Sequence, residues 1–288
     1  YQSIQDFVYT DLVSARPSTN RQEWYAPLFG VEIPRDVPTG GAFEDSKVSG
    51  LDTELVNKKV GRMFTVEREL IDDDQTGQVQ MRAQGLGERL RYKEESDVLG
   101  VDVFTLATKG TGITGTAGVS YTAAIGNRPA AFAALLQPGL EAADIALHNM
   151  LDPIGNRILV KPSLLLVSPA DKFNGAKLMN SALQPSVPGS AGQTYSTAGS
   201  GLTGYTGTIN PLQGLYALKV SRFLPATFWY LMEPKTSIVW QDRDPMELIM
   251  EDRNSGRSFD RDEYRWRLRR RYATTVIEYR YIFCGNGI

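Results

Sequence analysis

Two residue types that usually announce chemistry are nearly missing from this 288-residue chain, which has one cysteine, Cys284, and one histidine, His148. A lone thiol excludes an intrachain disulfide framework, and with a single imidazole it leaves no cysteine or histidine cluster of the kind that holds zinc. Cys284 therefore reads as an inert buried thiol and His148, in an Ala/Leu-rich run, as a packed or capping side chain. Any Ser-His-Asp arrangement would have to use that histidine. Long hydrophobic runs are missing too: none approaches the roughly 20 apolar residues of a spanning helix, so no membrane partner is expected. Charge of one sign is also lacking. Lys and Arg number 31 against 33 Asp and Glu, a net charge of −2, which lacks the excess of a dedicated nucleic-acid binder and leaves room only for a locally basic face. Neither an initiator Met nor a charged segment ahead of an apolar one stands at Tyr1, so no secretory signal is read and the N-terminus is expected to be processed or trimmed. No repeat of fixed period is visible. At this length a chain buries roughly three quarters of its unfolded surface, enough for one large or two medium domains without metals or disulfides.

The richest stretch is residues 245–284, PMELIMEDRNSGRSFDRDEYRWRLRRRYATTVIEYRYIFC. A short apolar segment, 246–250, runs into Asp252, Asn254, Ser255 and Gly256, all residues that favour turns. Beyond the turn, Tyr264, Trp266 and Leu268 alternate with Arg265, Arg267 and Arg269. One face of a pleated strand is thus aromatic, and the other is a guanidinium row that continues to Arg271. Such a row meets either phosphates or the acidic residues Glu247, Glu251 and Asp252 of its own hairpin. After Tyr272 the apolar parity slips to Ile277, Tyr279, Tyr281 and Phe283, which predicts a bulge or bend at 273–275 and a crossing from one sheet to another.

Taken in order, residues 1–41 hold Pro17, Pro27, Pro34, Pro38 and Gly40-Gly41 without a sustained period, and read as an extended arm. Within 55–70, Val60, Phe64, Val66 and Leu70 share a parity against Thr65, Glu67 and Glu69, a half-exposed strand preceded by turn-rich residues that predict a long hairpin. Asp72, Asp73 and Asp74 suit the N-terminus of a helix expected over 75–98. Val79, Ala83, Leu86 and Leu90 line its apolar face, while Arg82, Glu88, Arg89, Arg91, Glu94 and Glu95 read as a solvated or subunit-facing side. Gly110, Gly112 and Gly115 match G-x-G-x-x-G, but no helix follows and the next acidic residue is Glu141, so a loop is expected rather than a dinucleotide site. Pro129 opens an Ala/Leu-rich helical region interrupted at Pro138-Gly139. The apolar run 158–169 predicts a strand covered on both faces, 171–183 a short helix, and 184–209 a polar loop. Strands are expected over 215–224, 228–232 and 237–241.

This order of parts, with FTVERELIDDDQTG (64–77), DPIGNRILVKPSLLLVSPAD (152–171), NPLQG (210–214) and FDRDEYRWRLRRRY (259–272), resembles the major capsid proteins of Mu-type tailed phages. The resemblance implies an α+β, Hong-Kong-97-type capsid fold: an N-terminal arm (1–41), an extended β-hairpin loop (42–70), a peripheral domain with a long spine helix (71–128), an axial domain around a central sheet (129–240), a hairpin returning to the peripheral domain (241–275) and a final axial strand (276–288). It implies a structural protein and not an enzyme, self-assembling as hexamers and pentamers into an icosahedral or elongated head shell around double-stranded DNA. Localisation in the virion, after assembly in the host cytoplasm, is implied with it. Expected partners are further copies, a portal protein, a scaffold, a maturation protease, decoration or cement proteins, and packaged DNA bound without sequence preference; no catalytic residue, cofactor or metal is implied. Val60, Phe64 and Val66 are the candidate intersubunit contacts, and Arg265, Arg267, Arg269 and Arg271 the candidate DNA-facing or salt-bridge row. Lys47, Asn57, Lys58 and Lys59 show no evident cross-linking partner, and no scaffolding segment precedes the arm, so a removed segment or a separate scaffold is expected. Two alternatives stand beside this reading: an encapsulin-like nanocompartment shell around a protein cargo, and an α+β hydrolase using Ser168 or His148, which lacks a G-x-S-x-G elbow.

Overall fold

Apolar side chains on both faces of one short strand and on one face of another, much longer strand decide how this chain packs. The computed structural model describes residues 7–25, 28–29, 34, 36–39, 43, 49–50, 53–74, 77–99, 134–152, 155–183, 209–224, 226, 228–251 and 261–286. The elements begin with α1 (Tyr9–Leu12) and β1 (Val13–Pro17), followed by β2 (Gln22–Tyr25), β3 (Leu28–Phe29), β4 (Ser49–Gly50) and β5 (Thr53–Val56). Next, β6 (Lys58–Glu67) passes through α2 (Arg68–Asp72) into α3 (Gln78–Leu99), a 22-residue helix. Then follow α4 (Gln137–His148), β7 (Leu164–Val167), α5 (Lys172–Asn180), β8 (Ala217–Val220), β9 (Phe228–Met232), β10 (Ile238–Met250), β11 (Glu263–Val276) and β12 (Ile282–Asn286).

Among the described residues two four-stranded sheets carry the frame, in the orders β1-β10-β11-β6 and β12-β9-β7-β8, and two ribbons, β2-β5 and β3-β4, lie outside them. In the second sheet β7 is buried throughout, as its unbroken apolar run predicts. Leu164 and Leu166 point with Tyr230, Met232, Ile282 and Cys284 into one core, and Leu165 and Val167 point with Trp229, Leu231 and Phe283 into the other. The second core is closed by α4 and α5 through Leu140, Leu147 and Leu178. The first is where the sheets meet, because it also takes Leu12, Val13, Val98, Leu99, Trp240, Tyr272 and Val276. The expected break at Pro138-Gly139 is instead a beginning: α4 starts there, with Pro138 in its first turn, where a missing N–H costs nothing. Pro129, the G-x-G-x-x-G glycines and residues 184–208 lie outside the described residues.

The C-terminal hairpin differs from expectation in one respect. β11 keeps an unbroken register, with 263–272 opposite β6 and 272–276 opposite β10, so no bulge falls at 273–275. Both irregularities sit in β10 instead, between Asp242 and Asp244 and between Asp244 and Glu247, where Pro245 has no N–H to give the ladder. Two predicted segments, 237–241 and 246–250, thereby become one 13-residue strand. The change of apolar parity has another cause, which is burial on both faces at this end of the sheet. Trp240, Tyr272 and Val276 face the main core, while Val239, Ala273 and Ile277 meet Leu55 in a small cluster beneath Tyr25. The strand then ends, and a 3-10 turn at Tyr279–Tyr281 resets the phase before β12 joins the other sheet beside β9.

Gly285 of β12 lies against the fully buried Trp229, and a Cβ built there would sit 2.0 Å from the indole Cε2. Gly61 of β6 would bring a Cβ to 2.5 Å from the Leu268 carbonyl oxygen, but β6 is a sheet edge and can shift. Gly285→Ala is therefore expected to lower subunit stability by about 1–3 kcal/mol, and Gly61→Ala by less. Denaturant midpoints of the two variants, read against wild type, check the order.

Candidate functional site

Three arginines in succession, Arg269, Arg270 and Arg271, cannot all occupy one face of a strand, and the middle one is forced onto the aromatic side. There Arg270 is buried between Leu268 and Tyr272 and meets Glu94 from α3. Its Nη1 donates to Glu94 Oε1 and its Nη2 to Asp242 Oδ2 at 3.1 Å, while its guanidinium lies over Trp240, 5.3 Å from the ring centroid. Glu94 Oε2 accepts from the Tyr9 hydroxyl at 2.6 Å and from Arg91 Nη1 at 3.1 Å. Trp240 stacks on Tyr272 at 4.4 Å and leans on Tyr9 at 5.4 Å. One carboxylate thus joins the arm, the long helix and the central strand.

The electrostatics follow from burial. Removal from water alone would discharge Arg270, but the Glu94 and Asp242 carboxylates outweigh it and hold the guanidinium above its ordinary range. Burial, reinforced by Glu94, pushes the Tyr9 phenol up to about 12, so it stays a donor. Burial and the Asp97 carboxylate push Tyr272 up as well, and its hydroxyl donates to Asp97 at 2.6 Å. Glu94 and Glu95 were expected on a solvated face of α3; both are buried. The sequence carries a signal for Glu94, since it continues the stripe Leu86, Leu90 by one more step of four.

On the opposite face of β11 the arginine row meets its own hairpin. Arg265 bonds Glu251 through both Nε, at 2.5 Å, and Nη2; Arg269 Nη2 reaches Asp244 at 2.9 Å; and Arg271 Nε lies 3.8 Å from the same carboxylate. Of the three acidic partners considered from the sequence, Glu251 is used, Glu247 stands opposite Arg269 in the register, and Asp252 lies outside the described residues. Asp244, which sequence reading passed over, is brought in by the bulges of β10. Arg267, opposite Met63, is the exposed member of the row.

The three candidate contact residues on β6 do not share one environment. Val66 is 4 % exposed and already buried inside the subunit, which corrects its assignment as a contact awaiting a neighbour. Val60 is half-buried against the main core, and Phe64 is half-buried and stacked on Trp266 at 4.9 Å. The cause is the pairing of all of β6 with β11, where a free-standing ribbon had been expected. Ser168 is fully buried and its hydroxyl donates to the Ala226 carbonyl at 3.1 Å. His148 sits exposed in the last turn of α4, with Nδ1 2.9 Å from the Asp144 carbonyl oxygen. Neither engages the other, so the hydrolase reading has no nucleophile and base in contact.

A model of the family described as phage capsid protein matches residues 52–284 of the chain. No curated protein matches it by sequence. Among solved structures it is similar to the capsid of a native GTA particle (TM-score 0.63, 12% identity, covering 96% of this chain and 88% of that one). It is also similar to the capsid of cyanophage P-SCSP1u (TM-score 0.60, 12% identity, 98% and 88%) and to a chain from Mycobacterium phage Adephagia (TM-score 0.57, 16% identity, 96% and 87%).

The buried pair sets a clear mutational expectation. Glu94→Gln or Arg270→Met alone strands a buried charge and is expected to cost about 3–5 kcal/mol of subunit stability. The double replacement Glu94→Met with Arg270→Met removes both charges and is expected to recover much of that loss. A double-mutant cycle in denaturant measures the coupling.

Proposed function

The chain belongs to the phage capsid protein family, and from that premise we propose that many copies of it close into the head of a tailed phage, as hexamers and pentamers around double-stranded DNA. It is a structural shell protein with a Hong-Kong-97-type capsid fold, not an enzyme. The observation that carries the reading is the family match across 52–284, joined to capsid folds that align over nearly the whole chain at 10–16% identity, where only architecture is retained. In this reading the β1-β10-β11-β6 sheet with α3 is the peripheral domain, and the β12-β9-β7-β8 sheet with α4 and α5 the axial domain. A portal, a scaffold, a maturation protease and decoration proteins would join the shell during assembly in the host cytoplasm.

The outer part of the hairpin supports assembly through its surface. Along β10, burial gives way to exposure, and Leu248 and Met250 stand exposed beside Leu268 and Trp266. Of the β6 residues, Phe64 shares this strip through its stack on Trp266, so a neighbouring copy would cover it there. Contact with DNA would run through phosphates alone, with Arg267 the best placed of its row, since Arg265, Arg269 and Arg271 are bound to carboxylates.

Purified material is expected to show closed particles of megadalton mass in electron micrographs, with the absorbance ratio of nucleic acid when filled; a small soluble species would end this reading, and a protein-filled shell would favour the nanocompartment. Phe64→Asp is expected to leave a folded subunit, at a cost of about 0.5–1.5 kcal/mol for the lost aromatic pair, while particles fail to form. Circular dichroism and micrographs of the same preparation separate the two effects. DNA binding by opened shells is expected to weaken with salt equally for unrelated sequences.

A further inference from the structure

Beside the Glu94 knot lies a second junction of different chemistry. A cleft of about 270 Å³ separates the arm, α3 and the edge strand β8, lined by Phe7, Val8, Asp11, Glu95, Lys219 and Arg222 among others. Glu95 is buried there, and its Oε1 accepts from Ser221 Oγ at 2.9 Å while the Val8 amide also donates to its carboxylate. Both partners are neutral. The charged groups that face Glu95 are placed elsewhere: Asp11 of α1 is bridged to Lys219 of β8 at 2.9 Å, and Arg222, in the turn after β8, reaches the Tyr92 hydroxyl at 3.3 Å. On α3 itself, Arg91 and Glu94 belong to the neighbouring knot.

Two adjacent carboxylates therefore have opposite support. Glu94 has a guanidinium in contact; Glu95 has a hydroxyl, an amide and a cleft open to water. Burial raises the Glu95 carboxyl above the ordinary carboxylate range, and the Ser221 and Val8 hydrogen bonds and the more distant Arg222 offset that only in part. In its neutral form the group keeps a carbonyl oxygen that still accepts a hydrogen bond from these donors.

We propose that Glu95 is a pH-sensitive latch that ties the arm and the β8 end of the second sheet to α3, closed while its carboxyl is neutral and opening the arm toward the cleft as it ionises. The direction follows from linkage. A group raised in the closed state favours that state fully below the ordinary carboxylate range, and the advantage is lost as pH rises through the raised value. The Val8 amide, itself a donor to Glu95, reports the opening directly.

The test is hydrogen exchange of the arm peptide around Val8 in the full chain, corrected for the intrinsic rate, from about pH 4 to about pH 8. In wild type, protection is expected to fall across this range by about tenfold for each pH unit by which burial raises Glu95. Glu95→Gln keeps an oxygen for Ser221 but cannot ionise, and its protection is expected to stay flat. Ser221→Ala removes a donor that favours the ionised carboxylate, and it is expected to enlarge the fall. Flat protection in wild type, or an unchanged pH dependence in Glu95→Gln, would overturn the proposal. Should Glu95→Gln fail to fold, Ser221→Ala behaving like wild type overturns it as well.

Discussion

The contact on which the rest of this subunit depends is the buried pair of Glu94 and Arg270. Neither charge is tolerable alone in that position, so the long helix and the central strand can dock only in the register that brings them together. The pair also recruits what lies around it: Tyr9 delivers the arm, Asp242 fixes β10 just before its bulge, and Trp240 forms the floor under the guanidinium. Apolar packing supplies most of the stabilisation, because the cores on the two faces of β7 hold the largest fully buried side chains. Apolar contacts are permissive about register, however, whereas a buried hydrogen-bonded ion pair is not. In a shell built from repeated copies, the relative placement of helix, arm and strand must come out the same in each of them.

A second constraint is the uneven covering of the hairpin. Its inner end has both faces buried, one on the main core and one under the β2-β5 ribbon, where Ser18 also accepts from Asn57 at 2.9 Å and from Gln241 at 2.8 Å. Its outer end has partners along the arginine face and exposed apolar residues on the other. An isolated protein gains nothing from exposing Leu248 and Met250 on a long strand, since such an edge invites association. A protein whose function is association gains a surface there while the folding of the subunit rests on the inner end.

Much of this was legible from residues. The unbroken apolar run before Ser168 gave a strand buried on both sides, alternation around Trp266 gave the aromatic and arginine faces, and the spacing of Leu86 and Leu90 gave the long helix. What escaped was decided by contacts between distant segments. The role of Arg270 needs the knowledge that α3 crosses that point of β11, and the burial of Val66 needs the whole of β6 to pair with β11. The bulges were placed on the wrong strand because a change of apolar parity has two physical sources, an inserted residue or a second buried face, and periodicity does not distinguish them. Pro245, in the partner strand, was the better local marker.

Glu94 and Glu95 show why adjacent identical residues need not share a role. Successive positions on a helix point about 100° apart, so two neighbours near the edge of a buried stripe look into different surroundings. Glu94 turns toward the sheet and finds a guanidinium that remains charged at any pH a protein survives. Glu95 turns toward the seam between arm and second sheet and finds neutral donors in contact, with Arg222 farther off, beside an open cleft. The first arrangement fixes geometry irrespective of conditions; the second makes the strength of a joint depend on them. A shell subunit needs both, since its frame must be identical in every copy while its arm and sheets adjust to the neighbours that each copy meets.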